Sequence, residues 1–107
     1  MAQYKPVIVT TTAANREEAE RIGSALLAQK LAACVQYESI TSQYEWQGEL
    51  HHDEEIRLTI KSARCHYKSI EKTIVSLHSY DCPQILMQSV SQGFRPYLKW
   101  AKAALGL

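Results

Sequence analysis

Apolar and polar positions change their period several times along the chain, and each change marks an element. Residues 7–12 read Val-Ile-Val followed by three threonines, all β-branched and suited to a pleated surface, which predicts a buried strand. Asn15 followed three residues later by Glu18 has the pattern of a capping box. The Asn side chain accepts from the third helical N–H while the Glu reaches back, so a helix starts there. Ala19, Ile22, Ala25 and Leu26 fall on one face of this helix, with Arg16, Glu17, Glu20 and Arg21 opposite, and Lys30 suits the negative end of the dipole.

From residue 32 the period becomes two and holds to Trp46. Gln47-Gly48 then supplies a two-residue turn, and a second alternating run continues to about Ser62. With that turn as the whole loop, Trp46 faces Glu49, Val35 faces Ile60, Tyr37 faces Leu58 and Ser39 faces Ile56, giving one apolar face. On the other face Glu38 lies opposite Arg57, Tyr44 opposite His51 and Cys34 opposite Lys61, so unlike charges meet. A second helix is predicted over 66–78 from Tyr67, Ile70, Ile74 and Leu77. A loop follows over 79–83, where Pro83 disfavours helix at Cys82. Residues 85–90 read as a strand. Gly93 breaks the chain, and Pro96 opens a last helix with Tyr97, Leu98, Ala101, Ala104 and Leu105 on its apolar side. The order β-α-β-β-α-β plus a C-terminal helix is an α+β, ferredoxin-like arrangement with a long protruding hairpin, and residues 1–107 form a single domain.

The hairpin is too long for its own globule. A chain of 107 residues has a radius of gyration near 13 Å and is about 34 Å across. Residues 33–46 at about 3.3 Å each span roughly 46 Å. The tip carries Tyr44 and Trp46 on one face, aromatic surface that is costly to leave in water, so another copy of the chain is expected to cover it.

Charge and composition narrow the function. Twelve Lys+Arg against 11 Asp+Glu give a net charge of +1, without the basic excess of a nucleic-acid binder. A hydrophobic fraction of 46% excludes a disordered chain, and about 65% of the unfolded surface should be buried. No apolar run is long enough to span a membrane and the start is too polar for a signal peptide, so the expectation is a cytoplasmic protein with no membrane partner. Cys34, Cys65 and Cys82 are an odd set without a C-x-x-C pair, which fits free thiols in a reducing compartment.

Few residues suggest chemistry. In the run His51-His52-Asp53-Glu54-Glu55, alternation sends His51, Asp53 and Glu55 to one face and His52 and Glu54 to the other. At most three ligands therefore converge, and a solvated polar strand is the commoner origin of such a run. Cys34 opposite Lys61 is a candidate reactive or metal-binding thiol, although a buried cysteine more often acts as a small hydrophobe. His78 closes the second helix, where it can cap the carbonyls. No nucleophilic triad spacing and no phosphate-binding glycine loop is present.

Five blocks occur in order over nearly the whole chain: Lys30-Leu31-Ala32-Ala33-Cys34-Val35, Tyr44-Glu45-Trp46-Gln47-Gly48, Glu55 with Ile60-Lys61-Ser62, His78-Ser79-Tyr80-Asp81-Cys82-Pro83, and Tyr97-Leu98-Lys99-Trp100. Together they resemble the CutA divalent-cation tolerance family. The resemblance implies a homotrimer with Tyr44 and Trp46 at the subunit interface and a role in tolerance of copper and other divalent cations. It also implies a non-enzymatic metal-response or ligand-sensing module whose inter-subunit cleft is lined by Cys34, Glu55, Lys61, His78 and Tyr80. Two alternatives stay open: an enzyme using Cys34 as nucleophile, and a purely structural or anchoring trimer. Where many members have His-Pro-Tyr and Pro-Glu, this chain has His78-Ser79-Tyr80 and Pro83-Gln84. At the positions where copper-binding members use a first-strand cysteine and paired histidines, Thr11 and Leu77 leave only His78 as a metal ligand. Copper or zinc is accordingly expected to bind weakly.

Overall fold

A computed structural model describes residues 4–107. Its elements are β1 (Pro6–Ala13), α1 (Arg16–Ala28), β2 (Cys34–Trp46), β3 (Glu49–Ala63), a short 3-10 turn (Arg64–His66), α2 (Tyr67–Leu77), β4 (Ile85–Ser89) and α3 (Arg95–Ala104). The strands form one antiparallel sheet in the order β2-β3-β1-β4, the ferredoxin-like topology read from the pattern. No helix among the described residues is long and apolar enough to cross a membrane.

The hairpin register agrees with the alternation pair by pair: Trp46↔Glu49, Tyr44↔His51, Ser39↔Ile56, Glu38↔Arg57, Tyr37↔Leu58, Val35↔Ile60 and Cys34↔Lys61. Gln47 (φ 52°) and Gly48 (φ 81°) both take the left-handed region, as a type I′ turn demands, so no bulge intervenes at the tip. Arg57 donates from Nε and Nη2 to one Glu38 oxygen at 3.2 and 2.6 Å, the exposed ion pair that the register implies.

The sheet has two unlike faces. Odd positions of β1 meet even positions of β3, so Val7, Val9, Leu58 and Ile60 lie under α1 and α2 and pack with Ile22, Leu26, Ile70 and Ile74, all at most 2% exposed. Each such aliphatic side chain contributes about 1.5–3 kcal/mol on burial. The opposite face carries Thr10, Thr12, Cys34, Glu38, Tyr44, Asp53, Glu55 and Lys61, with neither α1 nor α2 over it. A smaller cluster of Ala33, Ala63, Ala101 and Leu105 seats α3 at one end of the sheet, where His66 Nε2 donates to the Leu105 carbonyl at 3.1 Å.

Two details depart from the expected helix ends. Asn15 does cap α1, accepting from the Glu18 N–H at 2.8 Å, but Glu18 reaches to the N–H of Ala14 at 3.1 Å and not to that of the cap residue. Lys30 lies outside α1 and does not serve its dipole from the last turn. It sits at φ 57° in a left-handed C-terminal turn, with Lys30 N–H to Leu27 O at 3.0 Å and Leu31 N–H to Leu26 O at 2.9 Å, closed by contact of Leu31 with the core.

Past the Ala13↔Ile56 pair, β1 ends and β2–β3 continue alone, so the hairpin projects. The molecule measures 46 × 25 × 21 Å, and its radius of gyration of 14.5 Å exceeds the roughly 13 Å of a compact chain this long.

Candidate functional site

Where the hairpin leaves the sheet, the loop between α2 and β4 folds against it and borders a half-open cleft of about 600 Å³. Its walls come from Thr12 at the end of β1, Tyr44 and Trp46 on β2, Asp53 and Glu55 on β3, and Tyr80 on the loop. The strand residues share the open face because the register pairs even positions of β2 with odd positions of β3.

Each residue 78–80 of the loop is anchored. His78 Nε2–H donates to the Thr12 carbonyl at 2.7 Å, and the Tyr80 N–H donates to His78 Nδ1 at 3.1 Å, so one ring nitrogen is a donor and the other an acceptor. The Ser79 N–H donates to Glu18 Oε2 at 2.8 Å, tying the loop to the start of α1. Glu18 is only 5% exposed. Burial pushes its carboxyl up most strongly, yet hydrogen bonds from Ser79 and Ala14 and the nearby His78 together hold it below its ordinary 4.5.

Tyr80 then places its hydroxyl 2.8 Å from Glu55 Oε2, to which it donates. Burial first, then the hydrogen bond and charge of Glu55, push the Tyr80 phenol far above its ordinary 10.0, so it stays a neutral donor at physiological pH. Across the cleft Tyr44 donates to Asp53 Oδ2 at 2.5 Å and stacks on His51 at 5.2 Å between centroids. Glu55 is 7% exposed, and among the described residues the three ion pairs, Arg16–Glu20, Arg21–Glu17 and Arg57–Glu38, include none of the cleft carboxylates.

The structure divides the five residues expected to line one cleft. Glu55 and Tyr80 meet directly, and His78 stands behind Tyr80 at 4.7 Å between rings. Cys34 and Lys61 pair at the other end of the hairpin, six register positions from Glu55, or roughly 20 Å along the strand. There Lys61 Nζ lies 5.9 Å from the Tyr97 ring of α3. Within one chain Cys34 and Lys61 therefore do not reach the cleft. Both nitrogens of His78 are occupied by backbone groups, so a metal ion there would have to displace one of them. Among the described residues no three His, Cys, Asp or Glu side chains are grouped to hold a metal ion, the His51–Glu55 run included. Three participants escaped the sequence reading: Asp53 as a cleft wall, Thr12 as the acceptor for His78, and Glu18 as the brace of the loop. Asp53 was accessible, since alternation already puts it on the face of Tyr44 and Glu55. The other two depend on contacts between segments more than 60 residues apart.

A family model described as CutA1 divalent ion tolerance protein matches residues 7–104. The chain belongs to this family. The divalent-cation tolerance protein CutA of Thermus thermophilus is 34% identical over 100 residues, covering 92% of this chain and 97% of the relative. The protein of the same name from Escherichia coli K12 is 33% identical over 100 residues, covering 92% and 89%. Among solved structures, CutA1 from Ehrlichia chaffeensis superposes with a TM-score of 0.92 at 28% identity, covering 99% of this chain and all of that one. The CutA of Archaeoglobus fulgidus, described as periplasmic, has a TM-score of 0.92 at 30% identity, covering 94% and 98%. The CutA fold thus extends over the whole described chain, hairpin and α3 included.

Proposed function

We propose that this CutA-family protein is a non-enzymatic, cytoplasmic homotrimer that serves divalent-cation tolerance by receiving a small ligand or ion in the cleft between the hairpin and the 78–84 loop. The observation that carries the reading is Glu55, a nearly buried carboxylate that has no ion-pair partner among the described residues and faces the cleft while Tyr80 holds one of its oxygens. A charge costs several kcal/mol to take from water, and a fold that keeps one at the wall of a cleft has a use for it there. The three free cysteines favour a reducing compartment. Assembly is supported by surface that one chain leaves in water: Trp46 is 49% exposed, Leu86 56% and Phe94 75%.

The test of assembly is light scattering at micromolar concentration. The expected mass is three times 12.1 kDa, and a 12.1 kDa species rejects the trimer. Trp46→Ala should shift the population toward monomer more than His51→Ala or His52→Ala, because Trp46 carries far more apolar area to bury at about 25 cal/mol per Å². Equal effects from the three variants would remove the tip from the interface. Titration calorimetry with Cu²⁺ and Zn²⁺ on the assembled protein tests the metal-ligand part of the reading.

A further inference from the structure

We propose that the ligand of the cleft is a small organic ammonium compound, a protonated amine on a carbon frame, and not a bare metal ion; this rests on the reading of the cleft as a ligand site. Size is the first argument. A half-open cleft of about 600 Å³ is more than one ion requires and lies within the range of sites for small organic molecules. Charge is the second. Asp53, Glu55 and Asp81 line the cleft, no lysine or arginine lines it, and none of the three carboxylates has an ion-pair partner among the described residues. An anionic metabolite would meet repulsion, whereas a cation meets three opposite charges.

The wall chemistry separates an organic cation from a metal. A divalent ion asks for several carboxylate or imidazole donors converging at about 2 Å, but Tyr80 and Tyr44 already occupy one oxygen each of Glu55 and Asp53, and no group of three ligands forms. What remains is one free oxygen on each carboxylate beside the rings of Tyr44, Trp46 and Tyr80. An ammonium group donates N–H bonds to such oxygens, and aromatic rings attract its charge while covering its methylenes. The Tyr80 hydroxyl, by donating to Glu55, holds that carboxylate in place with its second oxygen oriented for the ligand.

The test compares three linear four-carbon probes of similar length, putrescine (dication), succinate (dianion) and butane-1,4-diol (neutral). Each is titrated into the assembled protein by calorimetry, with tryptophan fluorescence of a Trp100→Phe variant, which leaves Trp46 as the one indole, as a second readout. Putrescine alone should bind, and Glu55→Gln should weaken it by about 10- to 100-fold, the usual consequence of losing a charge-assisted hydrogen bond. The Gln side chain still accepts from Tyr80, and Asp53→Asn, half-buried on the projecting part of the hairpin, gives a second variant that should also weaken binding. Thermal unfolding of both is run in parallel. Putrescine binding that both variants leave unchanged overturns the proposal. Succinate or the diol binding in its place overturns the ammonium assignment and leaves the cleft as a ligand site. Stoichiometric displacement of putrescine by Zn²⁺ assigns the same carboxylates to a metal and also overturns it. If none of the probes and no metal binds, the ligand-site reading falls together with the proposal.

Discussion

Replacing Glu18 by Gln should cost about 2 kcal/mol at pH 7, and nearly all of that cost should vanish in acid. The carboxylate accepts from two backbone N–H groups, Ala14 at 3.1 Å through Oε1 and Ser79 at 2.8 Å through Oε2. Gln offers one oxygen and turns an NH₂ donor toward the other N–H, so one charge-assisted bond is lost, worth about 1.5–3 kcal/mol when only partly exposed to water. The pH dependence has a definite sign. Glu18 titrates below its ordinary 4.5 in the folded protein, so its contribution is complete above the unfolded value and disappears as pH falls through the folded one. A protonated Glu18 resembles Gln, with one acceptor and one donor, and the two proteins should converge. Urea unfolding followed by circular dichroism at one fixed protomer concentration provides the assay, because any assembly makes the midpoint concentration-dependent. With a slope of about 1–2 kcal/mol per M, the midpoints should differ by about 1–2 M at pH 7. A gap that stays the same size as the pH is stepped down through the acid range, or none at pH 7, would refute the role given to the carboxylate.

Two further substitutions test the backbone and the core. Lys30→Gly should raise stability by about 0.5–1 kcal/mol in the same urea assay, since Lys30 occupies the left-handed position that glycine takes without strain; a loss would mean that the Lys side chain contributes there. Gly23→Ala should lower stability by about 1–2 kcal/mol, because a Cβ there would collide with the hydroxyl of Tyr37 and press on Val35 Cγ1 at 3.3 Å. Adding Tyr37→Phe, which deletes the colliding oxygen, should restore most of the loss, and a double variant no better than Gly23→Ala would place the conflict elsewhere.

How far the sequence was legible follows from the range of each interaction. The hairpin could be paired residue by residue because a two-residue turn sets the register, and a slip would have placed Glu38 and Arg57 among Val35, Tyr37 and Leu58. The left-handed turn at Lys30 escaped because its signal is the missing glycine: a lysine there reads as a favourable dipole charge, and the deciding contact of Leu31 with the core is tertiary. The separation of Cys34 from Glu55 was already implied by the register, which puts Cys34 against Lys61 and Ile40 against Glu55. Grouping them followed the family resemblance, which speaks of an assembly, while the strand geometry speaks of one chain. His78 shows the opposite limit. Its place after α2 was readable, but its bond to the Thr12 carbonyl joins the C-terminal end of α2 to the end of β1, 66 residues earlier, and periodicity carries no information at that distance.

The cleft has two walls of different physical character. On the loop side three consecutive residues are fixed: the His78 ring to Thr12, the Ser79 N–H to Glu18, and Tyr80 by its N–H to His78 and its hydroxyl to Glu55. That wall is organised before any ligand arrives, so little ordering free energy is spent there on binding. On the hairpin side Tyr44 and Trp46 are 42% and 49% exposed, and both lie on β2 where the hairpin has outrun the rest of the sheet. In the proposed trimer their position would follow the neighbouring copy that covers the tip. If the cleft takes a ligand as proposed, perturbing the loop wall should change affinity in any oligomeric state, whereas perturbing the tip should change affinity only together with assembly. Glu18 belongs to the first class although it lies outside the cleft, because its bond from Ser79 is one of the two ties, with His78 to Thr12, that hold the loop where Tyr80 meets Glu55.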